Sequence, residues 1–307
     1  MIENIEKTLV QAADSLRRKQ KVFNGSSFYY RQFEIGDRKR RRTRVITAPS
    51  HELCKLQRLL LALGIRDMPT HHASTAFRAG CSIAANARQH AAQPYLFKTD
   101  IVNFFPSIQV EAISKHIRGA FRTMSADAQA AIIEVVGLDG CLALGAPTSP
   151  HLSNVFMRDF DQKLADLSEM VGARYSRYAD DIAVSATSST VLALVADAVR
   201  NEVLQLGLQI YEAKTRQFGP SDRKIVTGLD VTTAEIRPTR QFRKKTQAML
   251  RIYLKYRKPG LTEPLKGRIA FWNGVAPHDP ALPALRDSLF RAMDEEQAKE
   301  PIPKDPW

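Results

Sequence analysis

Two adjacent carboxylates, Asp180 and Asp181, stand where the flanking residues predict a tight turn. Tyr175 to Tyr178 before them and Ile182 to Val184 after them have strand character, so Arg174 to Ala186 reads as a β-hairpin turning at Tyr178-Ala179-Asp180-Asp181. Like charges side by side on a compact turn are costly unless a cation offsets them. A third carboxylate, Asp100, ends another apolar strand-like run that starts at Tyr95. Three carboxylates converging at strand ends would form an oxygen-rich cage of the kind that holds Mg²⁺, which also takes phosphate oxygens as ligands. Two such ions about 3.5–4 Å apart activate an attacking hydroxyl and stabilise the leaving oxygen of a phosphoryl transfer. Taken alone, an Asp-Asp pair is more often a turn or helix cap than a metal site.

The elements that must position these groups alternate irregularly. Ile2, Ile5, Leu9, Ala13 and Leu16 recur at helical spacing. Arg44 to Thr47 is strand-like and stops at Pro49; Ser50 can cap a helix carrying Leu53, Leu56, Leu60 and Leu63 on one face. Further helices are expected over Ser82 to Ala91, near 110–118 and 126–137, from Ser149 to Met170, and over 190–207; strand is expected over 225–231. Strands interleaved with helices around a central hairpin make the fold class α+β. From Thr239 to Lys258 the chain is helical and basic, with Arg240, Arg243, Lys244, Lys245, Arg251, Lys255, Arg257 and Lys258 around Tyr253 and Tyr256. That mixture suits a nucleic-acid backbone and its bases, or equally a basic helix that packs its tyrosines inward. Arg38 to Arg42 is the densest charge run, after a turn at Gly36-Asp37. Ala298 to Trp307 is expected to be a loose tail.

Composition narrows the partner. Lys and Arg number 45 against 32 Asp and Glu, a net charge of +13 over 307 residues, which favours a polyanion: nucleic acid first, an anionic membrane surface second. No apolar run reaches the length of a membrane span, and the N-terminus lacks a signal-peptide core. Three scattered cysteines, Cys54, Cys81 and Cys141, exclude a disulfide framework or a zinc ribbon and predict a cytoplasmic protein.

The words around the carboxylates resemble a known family. Tyr178-Ala179-Asp180-Asp181 resembles the Tyr-x-Asp-Asp box of reverse transcriptases, and Phe97 to Ile108 resembles their first catalytic box, 80 residues earlier at Asp100. Gly145-Ala146-Pro147-Thr148-Ser149-Pro150, followed by Asn154, resembles the box that holds template and incoming nucleotide. Arg44 to Pro49 with Leu53 and Gln57 resembles the fingers box, and Leu206-Gly207-Leu208 with Lys214 resembles the box that places a lysine near the leaving pyrophosphate. Asn86-Ala87-Arg88-Gln89-His90 and Val226-Thr227-Gly228 resemble two words of the retron group. One position departs: Leu144 stands where the family usually carries Gln.

The resemblance implies a right-hand polymerase with fingers, palm and thumb. Its boundaries are expected at 1–95 for an N-terminal helix and fingers, 96–236 for a palm with a fingers insertion near 110–148, and 237–307 for a helical thumb and tail. It implies two Mg²⁺ ions, with Mn²⁺ as an alternative, on Asp100, Asp180 and Asp181 with the carbonyl of Ile101. Phe105 would crowd a 2′-hydroxyl and so favour deoxynucleotides, Arg44 would hold the triphosphate, aided by Arg40, Arg41 and Arg42, Gly145 and Pro147 would line the nucleotide site, and Lys214 would protonate the leaving group. Nucleic acid would be met by Asn86, His90, Val226, Thr227, Gly228, Arg243, Lys244, Lys245 and Arg251; a buried hydrogen-bonding role is the alternative for Asn86 and His90. The implied partners are a cognate structured noncoding RNA, its single-stranded DNA product branched from an internal guanosine, dNTPs, and a separate effector protein in anti-phage defence. Rival readings are another bacterial reverse transcriptase, an RNA-binding module that does not copy, and a generic basic scaffold.

Overall fold

The computed structural model describes residues 2–18, 28–37 and 42–297. In chain order its helices and strands are α1 (Ile2–Arg17), β1 (Tyr30–Asp37), β2 (Arg42–Pro49), α2 (His51–Leu63), α3 (Ile83–Arg88), β3 (Tyr95–Asp100), α4 (Phe104–Ser107), α5 (Ser114–Ala120), α6 (Ala126–Val135), β4 (Gly137–Leu138), β5 (Cys141–Leu142), α7 (Ser149–Phe156), α8 (Arg158–Met170), β6 (Arg174–Tyr178), β7 (Asp181–Ala186), α9 (Ser189–Gln205), β8 (Arg216–Phe218), β9 (Ile225–Val226), β10 (Leu229–Asp230), β11 (Arg237–Pro238), α10 (Arg240–Tyr256), α11 (Thr262–Val275) and α12 (Leu282–Gln297). The chain divides into two compact units: residues 1–82 with 95–217, and 83–94 with 218–307. Among the described residues no helix is long and apolar enough to cross a membrane.

In the first unit, four strands form a sheet in the order β6-β7-β3-β8. Leu96, Phe97, Ile182 and Val184 are fully buried, because α8 and α9 pack against this sheet. On α9 the buried residues Leu192, Val195, Ala196, Val199 and Val203 recur at helical spacing, so one stripe of the helix meets the strands. Along the free edge of β6 runs an extended strap: Arg177 N donates to the Ala73 carbonyl (2.9 Å) and Thr75 N to the Arg177 carbonyl (2.8 Å). The strap covers an edge that would otherwise present unpaired backbone.

Three expectations change. The helix expected from Ser149 to Met170 is two helices that break at Met157. No Gly or Pro signals the break; Ser153 turns its hydroxyl back onto the Pro150 carbonyl at 2.8 Å, a bond that bends helices. On α2, Ser50 caps as expected by accepting from Leu53 N, and Leu53, Leu56 and Leu60 are buried, but Leu63 is exposed at the helix end. The strand expected over 225–231 is a hairpin, β9–β10, turning at Thr227-Gly228. The run at 38–41 and the tail from 298 lie outside the described residues.

In the second unit, β9, β10 and β11 form a small sheet. Helices α10, α11 and α12 share a core of Leu250, Tyr253, Leu265, Ile269, Trp272, Leu282, Leu285 and Leu289. The one polar tip of Trp272 is satisfied: its Nε1 donates to Asp279 Oδ2 at 3.0 Å.

Candidate active site

Backbone pairing brings the carboxylates together. β3 runs antiparallel to β7 with Asp100 opposite Asp181, and β6 pairs with β7 so that Tyr178 faces Asp181. Ala179 and Asp180 alone therefore form the turn. Ala179 takes φ 59°, on the left-handed side that a residue with Cβ avoids. The turn is clamped from two sides. The Asp180 carbonyl accepts from Ile101 N (3.1 Å), and the Ala179 carbonyl accepts from Arg177 Nη1 (2.9 Å).

Arg177 is fully buried, and so is its partner Asp161 on α8. Its Nε and Nη2 reach the two Asp161 oxygens at 2.8 and 2.6 Å, a bidentate pair. Tyr175 Oη donates to Asp161 Oδ1 at 2.7 Å, and Arg177 Nη2 also reaches Asn154 Oδ1 at 3.2 Å. Every charge in this hub thus has a partner, which burial demands.

The acidic cluster itself is short of positive charge. Burial, then the neighbouring Asp100 and Asp181, push the pKa of Asp180 up to about 6. Burial also raises Asp181, against the pull of Lys98. Lys214 supplies one local cation: its Nζ lies 2.7 Å from Asp100 Oδ2 and 5.0 Å from the Tyr211 ring centroid. A carboxylate donor set with more negative than positive charge around it fits a hard divalent cation. Among the described residues no three such side chains close into a ready cage.

Five residues beyond Asp100, the half-buried Phe105 packs against two rings: Phe104 at 5.4 Å and Phe77 at 6.2 Å between centroids. Ile101 is buried and bridges to Ile210. Gly145 has a structural reason to be glycine. At φ 113° a Cβ there would come within 2.9 Å of the Thr47 carbonyl, and Thr47 N donates to the Leu144 carbonyl at 3.0 Å. The nucleotide box and the fingers box therefore touch through backbone at Leu144-Gly145. Pro147 is half-buried just ahead of α7. Arg44 lies on β2; its side chain, like Arg40 and Arg41, lies outside the described residues.

The remaining candidates belong to the second unit. Asn86 and His90 share the inward face of their segment and are 1% and 0% exposed, so neither side chain offers a surface to a ligand in this conformation. Helix α3 packs against β10, and Thr227 Oγ1 donates to the Ile83 carbonyl at 2.9 Å, so the helix and the hairpin that carry the two retron-like words dock on each other. Val226 is buried; Gly228 is exposed at φ 80°. On α10, Arg240, Gln241, Lys244, Lys245, Arg251 and Lys255 are exposed. A cleft of about 690 Å³ is lined by Arg223, Arg240, Gln241, Lys244 and Lys245. Arg243 does not join them: it is turned inward, with its guanidinium 3.9 Å from buried Asp279. The two tyrosines split, Tyr253 into the core and Tyr256 out to solvent.

Sequence reasoning passed over Arg177, Asp161 and Phe77. A lone Arg in a strand ordinarily reads as surface, and nothing local marks its partner sixteen residues away. Phe77 carries no motif that spacing could have flagged.

Residues 35–251 match the family model described as reverse transcriptase (RNA-dependent DNA polymerase). Retron Mx162 reverse transcriptase of Myxococcus xanthus is 30% identical over 262 residues, which are 74% of this chain and 54% of that protein; the chain thus spans about half the length of that relative. Retron Ec73 reverse transcriptase of Escherichia coli is 30% identical over 76% of this chain and 80% of its own length. Among solved structures, apo telomerase from Candida tropicalis aligns with a TM-score of 0.55 at 12% identity, covering 88% of this chain and 58% of that one. Telomerase from Candida albicans, solved with a fragment of telomeric RNA, aligns with a TM-score of 0.52 at 11% identity, covering 88% and 64%. These likenesses give the fold, that of the right-hand polymerases. With the family model covering most of the chain and curated retron enzymes aligned along it, the chain belongs to the reverse transcriptases, in their retron branch.

Proposed function

We propose that this protein is an RNA-directed DNA polymerase that copies part of a cognate structured noncoding RNA into single-stranded DNA. The observation that carries the reading is the pairing of Asp100 with Asp181, beside Asp180 on a clamped turn. Asp100, Asp180 and Asp181, with the Ile101 carbonyl, would hold two Mg²⁺ ions, or Mn²⁺ in their place. Bound there, the ions supply charge neutralisation and Lewis acidity for phosphoryl transfer.

The chain's own residues do the rest. The 2.7 Å ion pair to Asp100 holds Lys214 beside the carboxylates, where an ammonium can give a proton to the leaving pyrophosphate. The Phe105 ring would meet the sugar and exclude a 2′-hydroxyl. Arg44 holds the triphosphate, while Gly145 and Pro147 line the nucleotide site. The exposed cations of α10, with Arg223, present positive charge to the RNA phosphates. Priming from an internal guanosine 2′-hydroxyl, a branched RNA–DNA product and a separate effector in anti-phage defence complete the reading.

The test is a denaturing gel of nucleic acid that copurifies with the protein, wild type against Asp180→Ala/Asp181→Ala, with and without nucleases. A DNA band present only in wild type, shortened but not destroyed by RNase, is expected, with RNA retained in the variant. RNA alone in both samples, together with failure to extend a primer on an RNA template, would mean a binder that does not copy.

A further inference from the structure

Phe77 combines two features that together call for a reason. It is 46% exposed, and it takes φ 61°. A bulky aromatic in the left-handed region is a true outlier, and such a conformer persists only where the surroundings over-determine it, most often at functional sites.

The surroundings here are specific. The Ala76 carbonyl accepts from Asn154 Nδ2 at 2.9 Å. Asn154 is itself fixed, because its Oδ1 accepts from Ser74 Oγ at 2.6 Å and from Arg177 Nη2 at 3.2 Å. On the other side, Arg78 Nη1 donates to the carbonyls of His71 and Ser74 at 2.9 and 3.1 Å. The backbone is therefore pinned immediately before Phe77 and the Arg78 side chain immediately after it. The ring gains little burial from this conformation. What it gains is a tilted contact with Phe105, 6.2 Å between centroids at 45°, inside the range of attractive aromatic pairs. Phe105 thus has two ring neighbours, Phe104 and Phe77. An unsupported phenyl ring has other staggered rotamers open to it; contacts with two rings favour the rotamer that makes both.

We propose that Phe77 is a specificity-determining positioning residue of the sugar site, holding the Phe105 ring in its gating rotamer, and that Asn154 in turn fixes Phe77. The proposal rests on the reading of Phe105 as the element that meets the sugar. Its ligand class is the ribose face of an incoming nucleoside triphosphate.

The test is single-nucleotide extension on an RNA template, comparing kcat/KM for a dNTP and the matching rNTP. Wild type, Phe77→Leu, Phe77→Tyr, Asn154→Ala, Phe105→Val and the Phe77→Leu/Phe105→Val double variant are compared, each with a melting curve. Phe77→Leu is expected to reduce discrimination roughly tenfold, a size typical of one altered hydrophobic contact. Phe77→Tyr should retain it, and Asn154→Ala should reproduce the loss. The double variant should discriminate no worse than Phe105→Val alone, since both act on one ring. Discrimination within twofold of wild type in Phe77→Leu, while Phe105→Val loses it, overturns the proposal and leaves the gate standing. Losses that multiply in the double variant also overturn it, because Phe77 would then act independently. No change in Phe105→Val removes the gate itself, and the proposal with it.

Discussion

Two of the hairpins that turn in two residues, β9–β10 and β6–β7, are held in opposite ways. The turn of β9–β10 is Thr227-Gly228, at φ 46° and 80°. Both values are positive, as a type I′ turn requires, and its second residue is the glycine such turns favour. One side-chain bond, Thr227 to the Ile83 carbonyl, ties it down. The turn of β6–β7 is Ala179-Asp180, with a left-handed alanine and no glycine. Its geometry comes from outside, from a fully buried ion pair of Arg177 with Asp161 that reaches back to the Ala179 carbonyl. A turn whose second position must be a carboxylate cannot be built from glycine-rich turn chemistry alone. The difference teaches where each hairpin is vulnerable: one at its own residues, the other sixteen residues away on α8.

The largest effect is therefore expected far from the turn. Asp161→Ala leaves the Arg177 guanidinium buried without its counter-charge, and breaking a buried pair in this way costs about 3–5 kcal/mol. Denaturant unfolding of wild type and variant measures it. A loss under about 1 kcal/mol would mean that water reaches the guanidinium, and the contrast between the hairpins would collapse.

Next in size is the carboxylate on the turn. The folded pKa of Asp180 is raised from 3.8 to about 6. The raised value means that ionisation works against folding. The destabilisation is absent below the unfolded pKa, grows between about pH 4 and 6, and is complete above that. In metal-free buffer with chelator, Asp180→Asn is thus expected to be more stable than wild type at pH 7.5, by about 1–2 kcal/mol once solvent screening of a half-buried group is allowed for. At pH 4 the two should melt together. Equal melting temperatures at both pH values would mean that the clamped turn carries no electrostatic strain.

At the other hairpin the expected change is local. A Cβ on Gly228 would meet nothing within 4 Å, so Gly228→Ala adds only the left-handed penalty, about 1 kcal/mol. A larger loss, measured by the same unfolding curves, would show that this turn too is tied into a network.

The same contrast explains what could be read from the sequence. The strand–turn–strand around Asp180-Asp181 was legible because its apolar pattern and its turn are local. The pairing of Asp100 with Asp181 is not local; only the family words implied that these residues meet. Arg177 was illegible because an arginine within a strand is charged by type and buried by context, and that context is an aspartate on another element. For Asn86 and His90 the sequence left a nucleic-acid contact and a buried role both open, because residue type cannot say whether a side chain looks inward; here both do. On α10, Arg243 is turned inward while its neighbours Lys244 and Lys245 are exposed, because one step around a helix is 100° and a run of like charges hides that phase.

The smallest stability effect, and the one that sharpens the comparison most, is expected for Ala179→Gly. Glycine at φ 59° removes a left-handed penalty of about 1 kcal/mol. It also loosens the unfolded chain by about 0.5–1 kcal/mol. The two nearly cancel, so the unfolding free energy should move by less than about 0.5 kcal/mol. Synthesis should fall all the same, by roughly twofold to tenfold, because a glycine turn wanders further from the geometry that the Arg177 bond selects, and small displacements of reacting groups are costly to rate. A variant stabilised by more than about 1 kcal/mol with undiminished synthesis would show that the alanine stores strain without using it. Unchanged stability with slower synthesis would show that the residue and the buried ion pair divide one task, in which the pair fixes the turn in place and the Cβ narrows what the turn can do there.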